Sequence, residues 1–183
     1  GSGVRRGRRG GGGRGRGAAA WPPIPPRAGG RSPGEGGGRI TTGLPDLPID
    51  RRMTYGAMRR AITGLPVTVS SAILPDGLWG CYDDENRVIL IDRRLTYAAK
   101  RCTLVHELMH WRHGDAACDR LGRGREERRA RRESALFLVE PMRYGLLEQM
   151  YDGNSWNIAQ ELEVTQQVLG DFRQVMAERV SII

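Results

Sequence analysis

The sequence predicts an α+β fold in which a small antiparallel sheet precedes a central helix and a C-terminal helical bundle. Three observations lead to this prediction. Short β-branched and alternating segments lie between residues 67 and 92, a long segment without Gly or Pro follows over 95–113, and helical patterns fill 125–180. The 183-residue chain is long enough for one domain with its own core.

Residues 1–50 form an Arg/Gly/Pro-rich tail that we expect to be disordered, which leaves 51–183 as a single domain. The formal charge of +8 belongs to this tail, because residues 1–40 hold nine Arg and one Glu, whereas the remainder is electrically balanced. We therefore expect contact with nucleic acid only through the tail, where arginines can meet phosphates.

Cellular location is predicted from two absences. The chain has no apolar stretch of membrane-spanning length and no secretory signal pattern at its N-terminus. Its three cysteines are irregularly spaced and do not resemble a disulfide framework. We expect a cytoplasmic protein that does not bind membranes.

The predicted elements before residue 95 are one helix and three strands. A short amphipathic helix is expected within 50–63 and ends near Gly64. The strands are expected within 67–74, 78–82 and 87–91, with a polar loop joining the last two as a hairpin.

The next element is a helix over 95–113, with Thr96 as its N-cap and Gly114 at its C-terminal end. Apolar residues surround most of its circumference, so we expect it to be buried in the centre of the domain. Further helices are predicted over 125–139, 143–152, 155–162 and 165–179.

The central helix carries the sequence His106-Glu107-Leu108-Met109-His110. Residues four apart share one face of a helix, so His106 and His110 can bind one Zn²⁺ while Glu107 reaches a water beside it. This HExxH pattern is typical of metal-assisted hydrolysis and makes Glu107 the candidate catalytic residue.

A catalytic zinc usually has three protein ligands, so a third is required. His113 is too far along the helix from His106 to share an ion with it. Asp115 and Asp119 remain alternatives, but Glu127 and Glu133 on the next helix are better candidates, and periodicity does not choose between these two. For an oxyanion donor, the candidates within range are His113, Tyr144 and Tyr151, and none is assigned.

Four segments together resemble the ImmA/IrrE family of zinc metallopeptidases over about residues 53–180. They are HELMH with the preceding RCTLV, the hairpin sequence GLWGCYDD at 77–84, ERRA at 127–130, and Ser134-Ala135. The resemblance implies a zincin-like metallopeptidase fold, Zn²⁺ as cofactor, and Glu127 as the third metal ligand. The chain departs from the family pattern at Arg131 and Glu133.

The resemblance also implies that the substrate is a protein or peptide, with a DNA-binding transcriptional repressor as the candidate. An extended peptide is expected to lie along a strand of the hairpin, either 78–82 or 87–91. Two alternatives stay open. Residues 158–172 have the apolar spacing of a DNA-binding helix-turn-helix, although residues 155–183 carry a net negative charge. The protein could also be a zinc-binding partner without catalytic turnover.

Overall fold

The computed structural model describes residues 46–115 and 124–180. The chain divides into two units, residues 1–41 and 42–183, and the described residues all belong to the second. This unit has an α+β fold. Its elements are α1 (Tyr55–Ala61), a 3₁₀ turn (Ile62–Gly64), β1 (Thr68–Ala72), β2 (Gly80–Asp83), β3 (Val88–Asp92), α2 (Tyr97–His113), α3 (Gly124–Leu138), α4 (Pro141–Met150), α5 (Ser155–Glu161) and α6 (Gln166–Val180).

The three strands form a mixed sheet in the order β1-β3-β2. β2 pairs antiparallel with β3 as the predicted hairpin, but β1 pairs parallel with β3, so the expectation of an antiparallel sheet is wrong for β1. The physical reason lies in β3, whose sequence Val-Ile-Leu-Ile is an apolar run typical of a buried central strand. β2 pairs with one edge of β3, and β1 pairs with the other edge.

The turn between β1 and β2 is held by Asp92 at the end of β3. Its buried carboxylate accepts hydrogen bonds from the Arg94 side chain, the Arg94 main-chain N–H (2.8 Å) and the Leu74 main-chain N–H (3.3 Å). The Arg94 side chain is the main reason that the pKa of Asp92 lies at about 2, below its usual 3.8. This ion pair fixes the path of the chain into β2.

Helix α2 lies at the centre of the fold, in contact with α1, β2, β3 and α3. The prediction of its ends is confirmed. The Thr96 hydroxyl accepts from the Ala99 N–H (3.3 Å), and Gly114 ends the helix in the left-handed conformation with φ 65°. Leu104, Val105 and Leu108 are completely buried, as expected for a central helix.

Arg101 anchors α2 to two other parts of the chain. Its guanidinium is buried and donates to the main-chain carbonyls of Met53 (3.0 Å), Glu163 (2.9 Å) and Arg51. Ile49 is also buried, so the packed region begins before residue 51. The segment before α1 and the turn between α5 and α6 therefore hold the central helix in place.

The C-terminal helices form the remaining wall of the domain. α3 packs on α2 and α6, and α5 packs on α4 and α6, around a core that contains Ile158, Leu169 and Phe172.

In the ranges 46–115 and 124–180, no helix combines the length and apolar character needed to cross a membrane. Cys102 is a buried free thiol.

Candidate metal centre

The two histidines of the HExxH sequence face each other on successive turns of α2. Their ring centroids are 4.7 Å apart with the rings nearly perpendicular, and the two Nε2 atoms are 3.1 Å apart. Both imidazoles therefore direct their Nε2 atoms toward one point beside the helix.

Glu127 reaches this point from the first turn of α3. Its Oε2 lies 3.4 Å from Nε2 of His106 and 3.4 Å from Nε2 of His110. Glu127 comes this close because the small residues Ala130 and Ser134, on the same face of α3, are buried against the rest of the domain.

The spacing of the three atoms matches that of zinc ligands. Ligands about 2.0–2.1 Å from a tetrahedral zinc lie about 3.3 Å from one another. The separations here are 3.1, 3.4 and 3.4 Å. In the described part of the chain, this is the single group of three His, Cys, Asp or Glu side chains close enough to hold a metal ion.

The same contacts lower the pKa of the Glu127 carboxyl, since His106 and His110 hydrogen-bond to it. Burial by itself lowers the pKa of His110, but hydrogen bonds to Glu127 and Asp115 outweigh it, so the net pKa is raised. The Glu127 carboxylate and the two imidazoles thus attract one another.

Glu133, the other candidate ligand, points elsewhere. Its carboxylate pairs with Nε2 of His113 at 2.8–2.9 Å. The alternative ligand Asp119 lies outside the described residues. The geometry therefore brings Glu127, and not Glu133, to the two histidines.

Asp115 contacts the ring nitrogen of His110 that is not directed at Glu127. Its Oδ2 is 2.9 Å from Nδ1 of His110, and Arg129 pairs with its other oxygen. Burial raises the pKa of Asp115, but the hydrogen bonds from Arg129 and His110 lower it further than burial raises it. Asp115 thus fixes the His110 ring with Nε2 directed toward Glu127, as carboxylates that hydrogen-bond to zinc-binding histidines do. The sequence suggested Asp115 only as a ligand, although its position directly after the Gly114 turn places it beside the last turn of α2.

Glu107 is buried between α2 and the sheet. Its carboxylate accepts a hydrogen bond from the main-chain N–H of Tyr82 in β2, and burial raises its pKa above the usual range. Gly80 makes this close approach possible, because a Cβ atom there would lie 2.4 Å from Cγ2 of Thr103 and 2.9 Å from Oε1 of Glu107.

The His-His-Glu cluster opens into a cleft of about 670 Å³. One wall is the segment 77–82, which includes the start of β2, and the opposite wall contains Arg131 on α3 and Val168 and Asp171 on α6. The oxyanion candidates do not line it: the hydroxyls of Tyr144 and Tyr151 donate to Glu148 and Glu161, and His113 pairs with Glu133. Arg131, which sequence reasoning did not select, is a cleft residue.

A search of curated proteins found no match. A family model described as the IrrE N-terminal-like domain, from a peptidase family, matches residues 63–171, which is more than half of the chain and includes the HExxH helix and Glu127. The ImmA/IrrE resemblance is confirmed, and with it a metallopeptidase-like character: this chain belongs to the family of IrrE N-terminal-like peptidase domains.

Proposed function

We propose that this protein is a zinc-dependent metallo-endopeptidase, with His106, His110 and Glu127 as the metal ligands and Glu107 as the catalytic residue. The observation that carries the proposal is the triangle of ligand atoms, with edges of 3.1, 3.4 and 3.4 Å. Two imidazoles and one carboxylate form a ligand set used by catalytic zinc sites, which keep a fourth position for water or substrate. The opening of this cluster into the cleft supports that use.

The chemistry divides between the ion and the protein. A zinc ion held there supplies Lewis acidity, which lowers the pKa of water and polarises a carbonyl group. Glu107 lines the cleft beside the ligands and accepts the proton of the attacking water. It then delivers this proton to the amide nitrogen as the C–N bond breaks, which gives a carboxylic acid and an amine.

The substrate platform that fits the fold is β2. β3 has a partner on each side, whereas β2 is at the edge of the sheet and its first residues line the cleft. The Trp79 carbonyl accepts from the Asp92 N–H (2.9 Å), and in this register Gly80 directs its main-chain groups away from β3. An extended peptide can therefore pair with this edge at Gly80, whereas the Tyr82 N–H is taken by Glu107.

We further propose a DNA-binding repressor as the physiological substrate, on the basis of the family to which the chain belongs. The competing helix-turn-helix proposal is weakened by the position of α6. The first two turns of α6 line the cleft with Gln167, Val168 and Asp171. A recognition helix would instead need these positions to contact DNA.

Metal analysis tests the ligand set. Purified protein loaded with zinc and desalted should retain about one ion per chain, as expected for a single three-ligand site. Glu127→Ala should lose the ion. Glu133→Ala is the matched control, since it removes a carboxylate from the same helix that pairs with His113. Zinc retained by Glu127→Ala and lost by Glu133→Ala would refute the assignment.

Turnover is tested separately. The zinc-loaded protein is incubated with a pool of proteome-derived peptides, and new termini are identified by mass spectrometry. We expect cleavage by the wild type and none by Glu107→Gln, which keeps the shape of the side chain but accepts no proton. Retained cleavage by Glu107→Gln with zinc bound would rule out this mechanism. A wild type that binds zinc but cleaves nothing would instead favour a non-catalytic zinc-binding partner.

A further inference from the structure

Arg131 lies on α3 one turn after Glu127, so both side chains leave the same face of the helix. Its guanidinium makes a bidentate pair with Asp171 on α6, with Nε–Oδ2 at 3.0 Å and Nη2–Oδ1 at 2.6 Å. Arg131 and Asp171 both line the cleft. The pair therefore fixes a planar cation in the wall opposite β2.

Most of the donor capacity of this cation is not used by the protein. A guanidinium has five N–H groups, and Asp171 takes two of them. Within residues 46–115 and 124–180, no other acceptor contacts Arg131, and its side chain is 39% exposed. Of the described residues that line the cleft, it is also the single Arg or Lys. Three N–H groups of a guanidinium that lines the cleft are thus left for other acceptors.

An extended peptide directs its main-chain carbonyls alternately to its two sides. A peptide paired with the edge of β2 would use one side for the strand and direct the other toward the opposite wall. We propose that Arg131 is a substrate-binding residue that donates hydrogen bonds to a main-chain carbonyl oxygen on this second side. Asp171 is a positioning residue that holds the guanidinium. This inference rests on the proposed peptidase function.

A neutral carbonyl fits this position better than an acidic side chain. The Asp171 carboxylate already balances the charge of Arg131, so a substrate carboxylate would gain little net attraction there. A carbonyl oxygen needs only donors, and the guanidinium has N–H groups that Asp171 does not use. Recognition would then be independent of the substrate side chain at that point.

The test compares two zinc-binding probes by isothermal titration calorimetry on the zinc-loaded protein. Acetohydroxamic acid engages the metal and has no peptide chain, whereas a dipeptidyl hydroxamate adds main-chain carbonyls. Arg131→Ala and Arg131→Lys are compared with the wild type. Arg132→Ala is the matched control, because Arg132 is the next residue and pairs with Glu178 outside the cleft.

For Arg131→Ala we expect about a ten- to hundredfold loss of affinity for the dipeptidyl hydroxamate, the range of a charge-assisted hydrogen bond, and unchanged affinity for acetohydroxamic acid. Arg131→Lys should restore part of the loss, and Arg132→Ala should behave as wild type. Equal affinities of wild type and Arg131→Ala for the dipeptidyl probe would overturn the inference. An equal loss for both probes would also overturn it, since Arg131 would then support the metal site. Failure of the wild type to bind zinc or acetohydroxamic acid is a different outcome, which overturns the proposed function and this inference with it.

Discussion

Replacement of Gly80 by Ala tests the contact between the sheet and the helix that bears His106 and His110. The added Cβ would lie 2.4 Å from Cγ2 of Thr103, 3.1 Å from Cγ of Glu107 and 2.9 Å from its Oε1. Carbon atoms pack at about 3.5–4.0 Å, so β2 and α2 would have to separate by about 1 Å. Neither neighbour can move into solvent, since Thr103 and Glu107 are both buried.

The expected cost follows from this overlap. Overpacking of a buried contact costs about 1–3 kcal/mol, which lowers the Tm of a domain of this size by about 3–10 °C. Because the shift also moves Glu107, we expect peptide cleavage to fall by about a hundredfold, the effect of a misplacement of about 1 Å. Zinc binding should persist, because the three atoms nearest to the new Cβ belong to Thr103 and Glu107 and not to His106, His110 or Glu127.

Differential scanning fluorimetry and the peptide-pool assay measure the two effects. Gly145→Ala in α4 is the control, because a Cβ there meets no atom within 4 Å and Ala favours a helix by about 0.5–1 kcal/mol. Adding Thr103→Ser to Gly80→Ala removes the methyl group nearest to the new Cβ and should recover part of the Tm. A Gly80→Ala protein with wild-type Tm and activity would refute the reasoning.

Three further predictions concern the support of the site and of the strand beside it. Asp115→Ala should weaken zinc binding by about 10–100-fold, measured by chelator competition, because His110 loses the partner of its Nδ1; unchanged affinity would count against an orienting role. Removal of zinc by EDTA should lower the Tm by about 10 °C relative to protein at about 100 times the Kd in free zinc, and a Tm insensitive to zinc would contradict a folded-state site. Asp92→Asn should lower the urea midpoint at neutral pH. Since the pKa of Asp92 is lowered to about 2, its contribution to the free energy of unfolding is complete above about pH 4 and declines as the pH falls toward 2. A urea midpoint that stays higher for the wild type than for Asp92→Asn below pH 2 would disprove this link between protonation and stability.

Local signals in the sequence were enough to predict the central helix. Thr96 and Gly114 mark its ends through interactions within a few residues, and the spacing of His106 and His110 places both rings on one side. The direction of β1 could not be predicted in the same way, because pairing between β1 and β3 is not local. The apolar run of β3 was nevertheless a signal that it would lie between two strands.

The choice between Glu127 and Glu133 depended on the rotation of α3 about its axis, which is set by packing. Ala130 and Ser134 are buried, and Glu127 shares their face, whereas Glu133 is turned toward His113. The role of Arg131 was hidden for a related reason, since its partner Asp171 is forty residues away on another helix. Sequence periodicity contains no information about such contacts between helices.

The anchoring of Arg101 limits how far the protein can be shortened. Two of its three carbonyl acceptors, from Arg51 and Met53, belong to the segment ahead of α1, and Ile49 packs in the core nearby. A version that starts at Met53, the first methionine of the sequence, would leave an interior guanidinium short of an acceptor and would open a void where Ile49 packs. Truncated versions made for biochemical work should therefore begin upstream of Ile49.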